Sequence, residues 1–255
     1  MDALQCSLVE KVGHDFGFEY TVAEAPASLT LGSALHPLHA KVTLRQDEYQ
    51  VEFVNARSLL ISELNRDFSV ADLKTICRSI DQLAIVFRRA AALARSLPNQ
   101  AELDFESAVE AELKAFPDEI KNTEVARLVR QRVGQDTYRK AMLEYWGGAC
   151  AVTGAALPDV LRASHALPWA ECESDAQRLD VFNGFLLTAN LDALFDRFLI
   201  SFDNKGVILV SDLILGQDRA RLGVSTGLQL RWLTDRHENY LRSHRARLRN
   251  VLRQE

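Results

Sequence analysis

No apolar run in this 255-residue chain approaches the roughly 20 residues that a membrane-spanning helix needs. Membrane insertion is therefore not expected. The opening residues, Met1-Asp2-Ala3-Leu4-Gln5, lack the basic and apolar regions of a secretory signal. Cysteine is scarce: Cys6, Cys77, Cys150 and Cys172 lie far apart, with no C-x-x-C pair. That spacing suggests neither a disulfide framework nor a zinc knuckle, and a reducing cytoplasm is the expected setting. Internal repeats and low-complexity tracts are missing too, so the chain is not a repeat array. What remains is 47% hydrophobic and 25% charged, the make-up of a soluble globular protein with room for one large domain or two small ones.

The net charge of −5 argues weakly against a protein coated all over with nucleic acid, but it is unevenly spread. Residues 1–120 hold 11 Lys+Arg against 19 Asp+Glu, a net −8; residues 121–255 hold 19 against 16, a net +3. Phosphate binding belongs to the basic part. Such asymmetry is common between domains and is weak evidence alone.

The first part reads as α+β. Ser28–Leu31, Ala40–Leu44 and Gln50–Val54 carry β-branched residues in partial alternation, with Gln46-Asp47-Glu48 suited to a hairpin turn. From Val70 to Leu97, Leu73, Ile76, Cys77, Ile80, Leu83, Ala84, Phe87 and Ala91 recur at helical spacing. Ser69 suits the N-cap and Pro98 the stop. An acidic helix follows over about Leu103 to Phe116. Pro98-Asn99-Gln100 and Pro117-Asp118 bracket the expected boundary, giving domains of 1–115 and 116–255. The second part begins with helices over Asn122–Gly134 and Gln135–Trp146, closed by Gly147-Gly148. Strands at Val160–Ser164 and Phe185–Leu187 flank a loop from Pro168 to Phe182. Asn190 would cap a helix of about Leu191 to Arg197, and Leu199–Phe202 with Val207–Val210 form a hairpin. A C-terminal helix spans about Asp235 to Leu252.

Three points in the second part carry chemistry. His165 closes an apolar run, Asn183-Gly184 opens another, and Asp192 follows nine residues after Asn183 with Asp196 four further on. Imidazole is neutral near pH 7 and able to take a proton from water. Alone, a histidine so placed is more often structural. Asn-Gly usually means a turn, though a side-chain amide bridging the loop would also fix a ring plane. Carboxylates at i and i+4 share a helix face and repel unless a cation lies between them, which suits a hard divalent metal. Asp192 favours the metal reading over that of a first-turn acid. Asp196 favours a structural role beside Arg197.

The connected text resembles the His-Asn-His (HNH) nuclease family with its ββα-metal fold. Arg132-Val133-Gly134-Gln135, Tyr138-Arg139, Met142-Leu143, Tyr145-Trp146 and Cys150-Ala151-Val152-Thr153-Gly154 look like the lead-in of a bacterial subfamily linked to restriction and phage defence. Ala163-Ser164-His165-Ala166 with Pro168-Trp169, then Asn183-Gly184-Phe185-Leu186-Leu187, then Leu191-Asp192 with Leu194-Phe195-Asp196-Arg197 resemble its three motif elements. Tyr240-Leu241 with His244-Arg245 is like its C-terminal helix, so the likeness runs from about Glu124 to Arg247. The resemblance implies an N-terminal α+β domain of unknown identity before an HNH domain with flanking helices. It makes His165 the general base and Asn183 the residue that positions the catalytic loop. Asp192 falls on the family's metal-binding histidine, with Asp196 beside it. Two departures stand out: Ser164 occupies a place where many members carry an acidic ligand, and Asp replaces the last His. The Asp gives a harder, oxygen-leaning site, which favours Mg2+ or Mn2+ over zinc or nickel.

The activity implied is divalent-metal-dependent hydrolysis of DNA phosphodiester bonds. Arg162, Arg178, Arg197, Arg245 and the other C-terminal helix arginines are the expected phosphate contacts. One such site cuts one strand, so a double-strand break needs two passes or a homodimer. Two other readings remain: an HNH-fold binding module that has lost the chemistry, and a partner-docking subunit of a defence complex acting through residues 1–115.

Overall fold

The computed structural model describes residues 1–68, 74–98, 100–114 and 123–249. The chain divides into two compact units, Met1–Gln100 and Ala101–Glu255. No helix among the described residues is long and apolar enough to cross a membrane.

In the first unit, α1 (Ala3–Asp15) starts at a capping box in which the Asp2 carboxylate accepts from Gln5 N–H at 2.8 Å. Five strands follow as an antiparallel meander in chain order: β1 (Tyr20–Ala25), β2 (Ser28–Gly32), β3 (His39–Arg45), β4 (Glu48–Val54) and β5 (Lys74–Cys77). Register places Thr30, Lys41, Glu52 and Lys74 in one cross-strand row. Leu29, Leu31, Ala40, Val42, Val51 and Phe53 are buried. Helices α2 (Ser58–Asp67) and α3 (Ile80–Ser96) complete the unit, with Phe18 packed on Phe87 at 4.9 Å between ring centroids.

The three expected strands are present as β2, β3 and β4, and left-handed Gln46 and Asp47 turn the hairpin between the last two. The single helix expected from Val70 to Leu97 is found only over Ile80–Ser96, as α3. Lys74–Cys77 pairs with β4 instead, and Ile76 points to solvent. An open sheet edge offers backbone partners that outweigh a helical apolar spacing. The cap of α3 is Ser79, which accepts from Gln82 N–H at 3.2 Å; Ser69 lies outside the described residues.

The second unit begins with α4 (Gln100–Lys114) and α5 (Thr123–Tyr145). The division between compact units falls at the start of the acidic helix, at the first edge of the expected boundary region. Its reason is visible in the side chains. Phe105 is buried beneath the Arg130 guanidinium, 5.1 Å from its ring centroid, and Glu106 and Glu112 pair with Arg130 and Arg132 of α5. The helix α5 is continuous, and the expected break at Gly134 does not occur. Glycine there leaves room for Trp169: an added Cβ would stand 2.3 Å from the indole.

Then β6 (Leu161–His165) pairs antiparallel with β7 (Gly184–Thr188), and α7 (Ala189–Asp196) packs against both. This is a ββα element. Between its strands runs a loop with a short helix, α6 (Asp175–Leu179). Thr188, not Asn190, is the residue before α7; the Asn190 amide instead donates to Leu222 O at 2.8 Å. The hairpin of β8 (Ile200–Phe202) and β9 (Ile208–Val210), the helix α8 (Gly216–Arg221) and the helix α9 (Asp235–Ala246) close the unit. α9 ends earlier than expected, and residues 250–255 lie outside the described set. His244 pins α9: Nε2–H donates to Phe195 O, Nδ1 accepts from the Ser201 hydroxyl, and the ring stacks on Phe195 at 3.8 Å.

Candidate active site

β6 and β7 bring the three points of the sequence pattern together. His165 is the last residue of β6 and stands opposite Gly184, while Ser164 stands opposite Phe185. The His165 Nε2–H donates to the Arg178 carbonyl at 2.8 Å. That bond selects the Nε2–H tautomer and leaves Nδ1 with its lone pair and no hydrogen-bond partner among the described residues. One face of the ring stacks on Tyr138 (3.8 Å between centroids, 22° between planes), and Trp169 meets it edge to face at 5.7 Å. Burial lowers the His165 pKa to about 4, against the opposing effects of the Arg178 carbonyl and the Asp196 charge. The imidazole is thus neutral at physiological pH.

Asn183 is fully buried and works on the loop rather than on the ring. Its Oδ1 accepts from Leu167 N–H at 2.8 Å, and its Nδ2 donates to Leu167 O at 3.3 Å and Gln177 O at 3.0 Å. Leu167 follows His165 closely and Gln177 precedes Arg178, so one amide ties down both ends of the segment that holds the imidazole. The expected contact between Asn183 and the imidazole is therefore indirect.

Asp192 lies in the first turn of α7, half-buried, and its Oδ1 accepts from the Ser164 hydroxyl at 2.7 Å. Its pKa is raised, first by burial and then by the charge of Asp196; Ser164, Arg162 and Arg197 oppose the rise. Asp196, the exposed last residue of α7, therefore acts electrostatically on both Asp192 and His165. Among the described residues no three His, Cys, Asp or Glu side chains gather as a metal cage. Two carboxylates within reach of each other's field fit a hard cation that keeps water and takes phosphate oxygens to fill its shell.

The four arginines separate into two pairs. Arg162 and Arg197 are exposed, form no ion pair with any described residue, and lie close enough to Asp192 to affect its titration. Their side chains donate to nearby backbone carbonyls, Arg162 to Asp159 O at 2.9 Å and Leu161 O at 2.8 Å, Arg197 to Ala193 O at 3.3 Å. Arg178 is used within the loop: it donates to Trp169 O and Cys172 O and pairs with Asp175. Arg245 is likewise committed to Glu238 and Phe202 O. Residue type alone marked all four as phosphate contacts; only the geometry shows which guanidinium groups are already paired with a carboxylate. Sequence reasoning also gave no role to Tyr138 as a neighbour of His165, or to Ser164 as the partner of Asp192.

Residues 150–203 match the family described as HNH endonuclease. No curated protein matches the chain. The matched span holds β6, the loop, β7 and α7 with His165, Asn183 and Asp192, so the ββα element lies within the segment that is similar to HNH endonucleases.

Proposed function

We propose that the protein is a divalent-cation-dependent endonuclease that hydrolyses DNA phosphodiester bonds, with His165 as general base. The observation that carries this reading is the imidazole itself. Its Nε2–H is spent on the Arg178 carbonyl, and its unbonded Nδ1 belongs to a ring that burial keeps neutral. Such a group accepts a proton from water as the water attacks phosphorus. Asp192 and Asp196 are the residues to hold Mg2+ or Mn2+; the bound cation would supply charge neutralisation at the phosphate and the departing 3′ oxygen. Arg162 and Arg197 flank the same carboxylate and supply phosphate contacts, so affinity should fall with added salt. Arg178 and Arg245 serve the fold instead.

Plasmid nicking with magnesium, with manganese and with EDTA, beside His165→Ala, tests the reading. The wild type should nick with either metal and stop with EDTA. His165→Ala should lose cleavage by about a hundredfold or more while still binding DNA. Undiminished cleavage by that variant would sink the mechanism. Asp192→Ala should lose activity through cation affinity and recover in part with excess manganese.

A second reading is an HNH-fold binding subunit without cleavage. The Ser164–Asp192 bond favours it, because a hydroxyl occupies one carboxylate oxygen where the family often has a second acid. DNA binding without nicking under every metal condition is its signature. In either reading we place the protein in bacterial restriction or anti-phage defence. The four unpaired cysteines suit a reducing cytoplasm, and the acidic N-terminal part suits a basic partner protein. Co-purification of the full chain with a neighbour-encoded protein tests the partner. Sedimentation on DNA tests whether two copies act together.

A further inference from the structure

We propose that Tyr138 is a positioning residue for His165, fixing the plane of its imidazole from α5, outside the segment that matches the family. Its catalytic consequence rests on the nuclease reading above; its structural consequence rests on geometry alone. A general base must aim one lone pair at one water. The bond from Nε2–H to the Arg178 carbonyl fixes one ring atom but leaves the ring able to swing about that contact. A flat surface against the ring face removes that freedom. Tyr138 provides it, with centroids 3.8 Å apart and planes 22° from parallel, and Trp169 meets the ring edge to face at 5.7 Å.

Tyr138 is itself held where it stands. It is 1% exposed, and its hydroxyl donates to Asn183 O at 3.0 Å while lying 3.5 Å from Ser164 O. Those carbonyls belong to the residues just before Gly184 and just before His165, which face each other across the strand pair. The ring that stacks on His165 is therefore anchored to both strand ends that carry the site. Gly184 makes this approach possible: a Cβ there would lie 1.8 Å from Ser164 O and 2.6 Å from the Tyr138 hydroxyl. The groups that face His165 are thus Tyr138 from α5, Trp169 and the Arg178 carbonyl from the loop, and the Asp196 charge from α7. Only Asp196 carries charge among them.

Two full-length variants separate ring from hydroxyl. Tyr138→Phe keeps the stack, and its kcat for plasmid nicking should stay within about threefold of wild type, because the base stays aligned. Tyr138→Leu removes the stack; kcat should fall about ten- to a hundredfold with the KM for DNA nearly unchanged, since misalignment affects the chemical step and not binding. NMR of His165, assigned with His165→Ala, reads the same geometry without catalysis. In wild type and in Tyr138→Phe, the His165 ring protons should lie upfield of those of exposed His14; in Tyr138→Leu that shift should be lost, while the Nε2–H tautomer set by the Arg178 carbonyl persists. Wild-type kcat with an unchanged His165 spectrum in Tyr138→Leu overturns the proposal. Absence of the upfield shift in wild type, or its loss in Tyr138→Phe, does so too. If Tyr138→Leu fails to fold, the other two spectra decide. If no form of the protein nicks DNA, the nuclease reading fails while the spectra still test the placement of the ring.

Discussion

The side-chain amide of Asn183 has one acceptor and two donors engaged within a single loop, at 2.8, 3.3 and 3.0 Å. Truncation to alanine would leave the Leu167 N–H and two carbonyls without these partners in a fully buried place. Asn183→Ala should therefore lower stability by about 2–3 kcal/mol, read as a lower urea midpoint at constant m. Nicking should fall with it, because Leu167 and Gln177 adjoin the residues that orient the imidazole. Asn183→Asp should cost more, since a carboxylate would face the Leu167 and Gln177 carbonyls that the amide now serves. At this scale His165, Asn183 and Asp192 were legible because their signals are local: an apolar run, a turn pair, a helix start. Tyr138 was not, since its contact with His165 spans another helix and leaves no periodic trace. The ion pairs of Arg178 and Arg245 were hidden for the same reason, because a sequence shows a charge but not the carboxylate that already holds it.

Within elements, the strongest conflict between propensity and packing is Gly134 in the middle of α5. Glycine there costs about 1 kcal/mol relative to alanine in a helix interior. Gly134→Ala should nevertheless destabilise the second unit, because the new methyl would meet the Trp169 indole at 2.3 Å and Trp169 cannot move without disturbing His165. A lowered Tm with a shifted tryptophan emission checks this; a raised Tm with unchanged emission would show that the indole yields freely. The same conflict explains what the sequence concealed. Gly134 read as a helix break because the ring that needs the space lies far along the chain. β1 was missed because all six of its residues are exposed, so no alternation marks it. β5 was misread because Ile76 and Cys77 fit a helical stripe, although only Cys77 is buried. The ββα element was legible where strands alternate with clear breaks and its helix begins one residue after β7 ends.

For the molecule as a whole, three histidines whose pKa burial depresses contribute to the response to acid. His36 in the first unit and His165 and His244 in the second each have a pKa lowered to about 4, chiefly by burial. Their unfolded values lie near 6.5. Between these limits the unfolded chain binds more protons than the folded one, so stability rises with pH. It is fully present above about pH 6.5 and is lost as pH falls toward 4. Raised carboxyls of Asp180 and Asp192 act in the opposite sense in the second unit, since protonation relieves buried charge there. The first unit is therefore the cleaner test. Among the described residues neither nitrogen of His36 has a hydrogen-bond partner of normal geometry, and its ring lies edge to face on Phe18 at 5.2 Å, with Arg95 opposing its protonation and the Gly17 backbone and Glu19 favouring it. An apolar side chain of similar bulk forfeits no hydrogen bond there. His36→Leu should leave stability at pH 8 within about 1 kcal/mol of wild type, as for a volume-conserving swap. Between pH 6.5 and pH 4.5 it should remove a loss on the order of 2–3 kcal/mol, the linkage expected of a nearly buried imidazole shifted this far. Urea titrations across that range, followed by backbone amide exchange in the β2–β4 strands, report the first unit alone. An equally steep acid loss in His36→Leu would assign the proton uptake to other groups.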